Sequence, residues 1–267
     1  MKRILSFVLV LAMLACTVFA FSSCKRETLV CGVTLFENMN EKDADGNWIG
    51  FESEFAMEVG KIIGMDVEFQ EIEWEQKYNE LNSGAIDCIW NGFTANSSDE
   101  INGETFKRSD LVDFSYGYML NQQCVVVRTA DLDKYQTTTD LAGKKACVEG
   151  GSAGASTAAG FTSADKIFKA TSQIAAFPEL KSGAVDFIVC DIVLARNLCG
   201  NGNYSDLSIV EGIELESEIY AVGFKKGSDL TAKVNAAIKE LEANGKLLEI
   251  ATKYGFENVL SVTETIE

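Results

Sequence analysis

Apolar and polar positions alternate along this chain in two periods, and each period predicts an element. The runs "ETLVCGVTLF" and "MDVEFQEI" read as strands, and "GFESEFAMEVGKIIG" between them places Phe55, Val59, Ile62 and Ile63 at helical spacing. Further on, "KKACVEG" and "DKIFKA" predict strands. "TSQIAAFPELKSG" predicts a helix that either contains or is broken by Pro178, the only proline. "LTAKVNAAIKELEANGKLLEIATKYGF" predicts two helices hinged at Asn244-Gly245, with Val234, Ile238 and Leu241 on the buried face of the first.

Two of these stretches nearly repeat. "LNSGAIDCIWNG" runs from Leu81 to Gly92 and "LKSGAVDFIVCD" from Leu180 to Asp191. Each predicts a helix ending at a Ser-Gly, where Gly84 and Gly183 accept the left-handed cap conformation. A short, fully apolar strand follows, as in a parallel sheet covered on both faces. The expected fold class is therefore α/β, in two lobes built alike, each a doubly wound sheet with helices on both faces. In such sheets ligands bind beyond the carboxyl ends of the strands. Those ends carry Asn91-Gly92-Phe93-Thr94 in one lobe and Cys190-Asp191 in the other. One side offers an amide, exposed backbone groups and a hydroxyl, and the other a carboxylate. Asp191 has a second reading as the cap of a helix over "IVLARN".

The N-terminus departs from this pattern. Met1-Lys2-Arg3 precedes an apolar run from Ile4 to Phe21, then Ser22-Ser23-Cys24. A basic head, an apolar middle and small residues before a cut read as a secretory signal over 1–23. Cys24 stands where a lipoprotein signal places its lipidated thiol, which predicts a palmitoylated, membrane-anchored protein. A transmembrane anchor is the competing reading. The 267-residue chain has 40 acidic and 23 basic side chains; two of the bases and none of the acids lie in the signal, so 21 bases remain. Such a surface repels phosphate backbones and argues against a nucleic-acid partner. Cys31, Cys88, Cys124, Cys147 and Cys190 lie in apolar runs and Cys199 follows a helix. No pair has zinc spacing, so free buried thiols are expected, although export also permits disulfides.

Two motifs invite chemistry that the chain excludes. Gly150-Gly151-Ser152-Ala153-Gly154 has the nucleophile-elbow pattern, but there is no histidine to take the serine proton. Its glycines instead suit a strand-to-helix turn whose backbone approaches a ligand. "DADGNW" has its glycine at the wrong position for a calcium loop and reads as a hairpin turn at Asp45-Gly46-Asn47. No metal and no cofactor are expected.

The stretch "FKRSDLVDFSYGY" sets Arg108 ahead of an aromatic run in this acidic chain, either as a solvated turn or as a clamp for a small anion. The pieces "GNWIGFESEFAMEVGKIIG", "LNSGAIDCIWNGFT", "RSDLVDFSYGY", "DLAGKKACVEGGSAG", "LKSGAVDFIVCD", "SEIYAVGFKKGSDL" and "ELEANGKLLEIATKYG" come in an order that resembles the family 3 solute-binding proteins of ABC importers. The likeness covers about residues 28 to 260. It implies a type II periplasmic-binding-protein fold with lobe 1 over 24–120 and 219–267, lobe 2 over 121–218, and hinge crossings near Met119–Gln123 and Leu215–Ile219. It also implies that the protein captures a free amino acid between the lobes and delivers it to a permease, as a monomer held to the extracytoplasmic membrane face by lipid.

The resemblance assigns roles by position. Arg108, five residues before Asp113, pairs with the ligand carboxylate. Thr94 and the backbone near Gly92 add hydrogen bonds, beside Asn91. Asp191 takes the α-ammonium, Phe36 and Trp74 sandwich the side chain, and the Ser152-Ala153 loop completes the carboxylate site. Glu149 falls at a side-chain-recognition position, with Glu37 or Asn38 nearby. That favours a polar, glutamine-like ligand first and a basic one second, although Glu149 at a solvated rim is equally open. Trp74 and Trp90 near the cleft are expected to report closure. Three positions depart from the family. Asp99 stands five residues after Thr94, where the arginine usually comes; "NSSDEINGETF" reads as an insertion; and Val33 replaces an acid. A dehydratase or lyase of the same architecture and a ligand-sensing domain are the alternative functions.

Overall fold

The structure, a computed structural model, describes residues 27–266. The signal segment, Cys24 and the transmembrane alternative lie outside the described residues. In chain order the first part forms β1 (Thr28–Val33), the hairpin of β2 (Glu41–Lys42) and β3 (Trp48–Ile49), α1 (Phe51–Ile63) and β4 (Asp66–Glu71). Then come α2 (Lys77–Ser83), β5 (Cys88–Ile89), the hairpin of β6 (Ser98–Ile101) and β7 (Glu104–Lys107), the one-turn α3 (Arg108–Leu111) and β8 (Asp113–Phe114). The long β9 (Gly117–Arg128) leads to β10 (Ala146–Glu149), α4 (Ala153–Ala159), β11 (Ile167–Ala170) and α5 (Gln173–Ser182). There follow β12 (Phe187–Asp191), α6 (Ile192–Leu198) and β13 (Leu207–Ile209). The chain returns through β14 (Ser217–Tyr220) and β15 (Gly223–Phe224) to α7 (Leu230–Ala243), α8 (Lys246–Lys253) and β16 (Leu260–Thr263).

Two sheets result. One has the order β4-β1-β5-β15-β8 and the other β11-β10-β12-β9-β13, with β14 and β16 also lying along β9. Strand β1 runs parallel to β4 and β5, and β10 parallel to β11 and β12, so the two halves of the sequence repeat build matching parts of each sheet. Gly84 and Gly183 cap their helices with φ of 79° and 81°, the left-handed conformation expected of them. The chain passes between the sheets within β9 and β14, which pair antiparallel from Met119↔Tyr220 to Gln122↔Ser217. The two crossings therefore form one ribbon, and β16 joins its other edge over Leu260↔Met119.

Burial explains the helices. α1 turns Phe51, Phe55, Ala56 and Val59 inward, and α7 and α8 pack over it, with Val234, Ile238 and Leu241 fully enclosed. Each such side chain contributes about 1.5–3 kcal/mol relative to exposure. Ile62 and Ile63, expected on the buried face, are only half-buried, because the contact lies toward the start of the helix and takes in Glu52 and Ser53. Pro178 sits inside α5 without breaking it. The "DADGNW" loop is a hairpin turn in which Asp43 Oδ1 accepts the N–H groups of Asp45 and Asn47 at 2.9 and 2.8 Å. The six described cysteines are free thiols, five of them buried. No helix among the described residues is long and apolar enough to cross a membrane.

Candidate functional site

Beyond the carboxyl ends of β5 and β12 the lobes meet around a cavity of about 10 Å³. Its first wall is Trp74, Asn91, Gly92, Thr94 and Arg108; its second is Glu149, Ser152, Ala153, Gln173 and Asp191. Nine of the ten residues singled out from sequence thus converge. The tenth, Phe36, lies behind Gly92, where a Cβ would come within 3.2 Å of its ring. The volume suits roughly one water molecule, so the lobes stand closed on each other and must part to admit an amino acid.

On the first wall Arg108 is 1% exposed. Its Nε and Nη2 both donate to Asp99 Oδ1, at 3.1 and 2.8 Å, and Nη1 donates to the Thr94 carbonyl at 3.0 Å. The guanidinium lies 5.0 Å over the ring of Phe93. The residues between Thr94 and Arg108 form the β6–β7 hairpin, and the Arg108 N–H donates to the Ser97 carbonyl at 2.9 Å. This segment is therefore a closed excursion that returns the chain to its starting point, which is how Arg108 reaches the cavity. Burial pushes the Asp99 carboxyl up, but Arg108, Lys77 and two hydrogen bonds outweigh it and hold the group below the usual carboxylate value. One expectation changes: the Gly92 N–H is not free for a ligand, since it donates to both oxygens of Glu52 at 2.8 and 3.1 Å. Glu52 is enclosed in lobe 1 and also accepts from Tyr118 Oη; burial raises its carboxyl to about 7 against those two donors.

On the second wall Asp191 begins α6, yet its side chain caps nothing. Oδ1 instead accepts from Asn121 Nδ2 at 2.7 Å and Gln123 Nε2 at 2.5 Å, and Oδ2 accepts from Gln173 Nε2. The same two hinge amides also donate to Glu218 Oε2, at 2.6 and 3.0 Å, as does Thr94 Oγ1 at 3.2 Å. Asp191 and Glu218 thus share amide donors across the ribbon, and burial raises both carboxyls, Glu218 to about 7. Glu149 ends β10, is 3% exposed and has one oxygen, Oε1, with no hydrogen-bond partner among the described residues. Burial, and then the charge of Asp191, push its carboxyl up to about 8. Glu149 is not a rim residue.

The glycine-rich turn behaves differently from its sequence reading. Ser152 caps α4, its hydroxyl accepting from the Ala155 N–H at 3.1 Å, and the Gly151 carbonyl accepts from Lys77 Nζ of the other lobe at 2.8 Å. The close backbone approach is to lobe 1. Lys169 and Glu75 add an ion pair across the cleft. Trp90 is buried in the lobe 1 core against Phe55, not at the cleft. Glu37 and Asn38 do not line the cavity. Gln173, Glu218, Lys77 and Glu52 were missed. The repeat held a signal for one of them, because Gln173 stands in the second copy where Trp74 stands in the first.

Two α/β lobes joined by a two-strand ribbon, with converging polar groups in the closed cleft, define a type II periplasmic binding protein. The family model of bacterial extracellular solute-binding proteins, family 3, matches residues 29–258, and the chain belongs to that family. Among curated relatives, the arginine-binding extracellular protein ArtP of Bacillus subtilis (strain 168) is 26% identical, with 92% of this chain and 96% of the relative covered. The L-cystine-binding protein TcyJ of Escherichia coli (strain K12) is 27% identical, with 86% and 83% covered. Among solved structures, an ancestral arginine-binding protein bound to arginine superposes with a TM-score of 0.76 at 31% identity, covering 86% of this chain and 99% of that one.

Proposed function

We propose that this family member captures a free amino acid with a cationic side chain and delivers it to an ABC permease. The carrying observation is the charge of the cleft. Glu149, Asp191 and Glu218 are buried on and behind one wall, while on the other the two cations Arg108 and Lys77 share a single carboxylate, Asp99. Three buried carboxyl groups thus outnumber the one cation left over; such an excess is costly, and a ligand with two positive groups relieves it. Arg108 receives the α-carboxylate, with Thr94 and the Ser152-Ala153 turn beside it and Asn91 in the cavity wall. Asp191 receives the α-ammonium in place of its amide donors, and Glu149 with its free Oε1 faces the side chain along Trp74. A basic ligand thereby moves ahead of a glutamine-like one on the charge of the cleft; the relatives include proteins that bind arginine and others that bind glutamine.

Closure brings lobe 1 (24–120 with 219–267) against lobe 2 (121–218) around β9 and β14. Both lobes touch the ligand only in the closed state, so binding selects it. The receptor acts as a monomer outside the cytoplasm, tethered by lipid on Cys24 after removal of 1–23. Metabolic labelling with a palmitate analogue checks the tether, with Cys24→Ala losing the label.

A thermal-shift screen against the twenty amino acids tests the ligand class. A ligand at about 1,000 times its dissociation constant stabilises the fold by about 4 kcal/mol. Shifts with arginine, lysine or histidine above all others are expected; shifts confined to apolar amino acids would sink the proposal. A protonated Glu149 could also donate to a leaving group, as an enzyme of this fold requires. We place it as a recognition group, so proton NMR of each bound amino acid should show no turnover.

A further inference from the structure

Asp99 comes from the inserted hairpin and reaches the cleft between two buried cations. Its Oδ1 takes two N–H groups of Arg108, one from Nε and one from Nη2. Its Oδ2 accepts from Tyr78 Oη at 2.6 Å and lies 3.3 Å from Lys77 Nζ. A guanidinium has five N–H donors in a rigid plane. With Asp99 on two and the Thr94 carbonyl on a third, Arg108 keeps one N–H on Nη1 and one on Nη2. Two donors on the two terminal nitrogens match the two oxygens of a carboxylate. The guanidinium is 1% exposed and lies on the Phe93 ring, so its orientation is set by these buried partners.

We propose that Asp99 is a positioning residue: one of its oxygens holds Arg108 so that the free end of the guanidinium faces the ligand α-carboxylate, while the other, through Lys77, ties that orientation to lobe closure. Lys77 completes the link, because the same ammonium donates to the Gly151 carbonyl across the cleft. The hairpin also meets lobe 2 directly, with Ser156 Oγ on α4 lying 3.5 Å from the Ser98 carbonyl. The inserted hairpin is thus part of the binding device, and the carboxylate standing where the family carries its arginine serves the displaced arginine.

The inference rests on the amino-acid-binding reading, and one experiment separates the two. Calorimetry at pH 7 compares L-arginine with L-argininamide, which lacks the α-carboxylate, on the wild type, Asp99→Ala, Asp99→Asn and Lys77→Met. The wild type should prefer the acid. Asp99→Ala should lose at least about tenfold for arginine and less than about threefold for the amide, the loss of a charged hydrogen-bond partner falling on one ligand only. Asp99→Asn keeps an oxygen for Arg108 and should hold the acid-to-amide ratio within about threefold. Lys77→Met should weaken both ligands alike, through closure. An unchanged ratio in Asp99→Ala, or an equal loss for both ligands, overturns the proposal. Should Asp99→Ala fail to fold, Asp99→Asn decides: a retained ratio supports positioning, and a collapsed ratio shows that charge rather than geometry was at work. A wild type that binds neither ligand removes the amino-acid reading and this inference with it.

Discussion

The sharpest consequence of the cleft chemistry is a pH-dependent choice between ligands, set by Glu149. In the closed cleft burial and the neighbouring Asp191 disfavour its charge and push the carboxyl up to about 8. A cationic side chain beside Oε1 needs the carboxylate, so binding such a ligand below pH 8 expels a proton. An amide side chain does not, since a protonated carboxyl can donate to its oxygen. At pH 6, about two units below that value, only about 1% of Glu149 is ionised, which corresponds to about 2.7 kcal/mol or about 100-fold in affinity. Arginine affinity should rise as the pH climbs to 8 and level off above it. Glutamine carries the same α-ammonium and α-carboxylate, so Asp191 and Arg108 affect both ligands alike; Lys77, lowered to about 8, and Glu218, raised to about 7, titrate in the same window, and the Glu149→Gln variant separates the share that belongs to Glu149. Isothermal titration of both at pH 6, 7 and 8.5 is the assay, in two buffers of different ionisation enthalpy so that released protons are counted. The arginine-to-glutamine preference should grow by about 10- to 100-fold from pH 6 to 8.5, with up to about one proton released per arginine at pH 7. Glu149→Gln should flatten the profile. A ratio constant within about threefold, with no proton release, would refute the placement of Glu149 against the side chain.

Arg108→Ala should cost at least about tenfold in amino-acid affinity and lower stability by about 3–5 kcal/mol in urea melts, since it leaves the buried Asp99 without its closest cation. Gly92→Ala should destabilise by about 1–3 kcal/mol and weaken binding, because the residue holds φ of +55° and a Cβ there comes within 3.2 Å of Phe36 and Tyr220; a variant as stable as wild type would show that the turn relaxes freely. Glu52 is raised from 4.5 to about 7 in the folded protein, so that state binds more protons than the unfolded chain between those values. Its stabilising contribution is complete below about pH 4.5 and gone above about 7, so Glu52→Gln should make the stability lost between melts at pH 5 and 8 about 3 kcal/mol smaller than in the wild type, the remainder coming from the other raised carboxyls.

Local sequence determined a large part of this protein. The 3.6-residue spacing of Phe55 and Val59, the Ser-Gly caps at Gly84 and Gly183 and the apolar runs that follow them are consequences of neighbouring side chains, and each element formed where that chemistry placed it. The repeat also pointed to the candidate cavity, because the carboxyl ends of matching parallel strands converge once two lobes face each other. Tertiary structure decided what local pattern cannot encode: which polar groups find each other across long sequence separations in a dry interior. Glu52 takes the Gly92 N–H across 40 positions, and Thr94 reaches Glu218 across 124. Neither Lys77, whose ammonium crosses the cleft, nor Glu218, hidden on a hinge strand, carried a local signal. That Arg108 lies at the cleft depended on the hairpin closing at Ser97, and burial, which raises the carboxyls of Glu149, Asp191 and Glu218, has no local signature in the sequence.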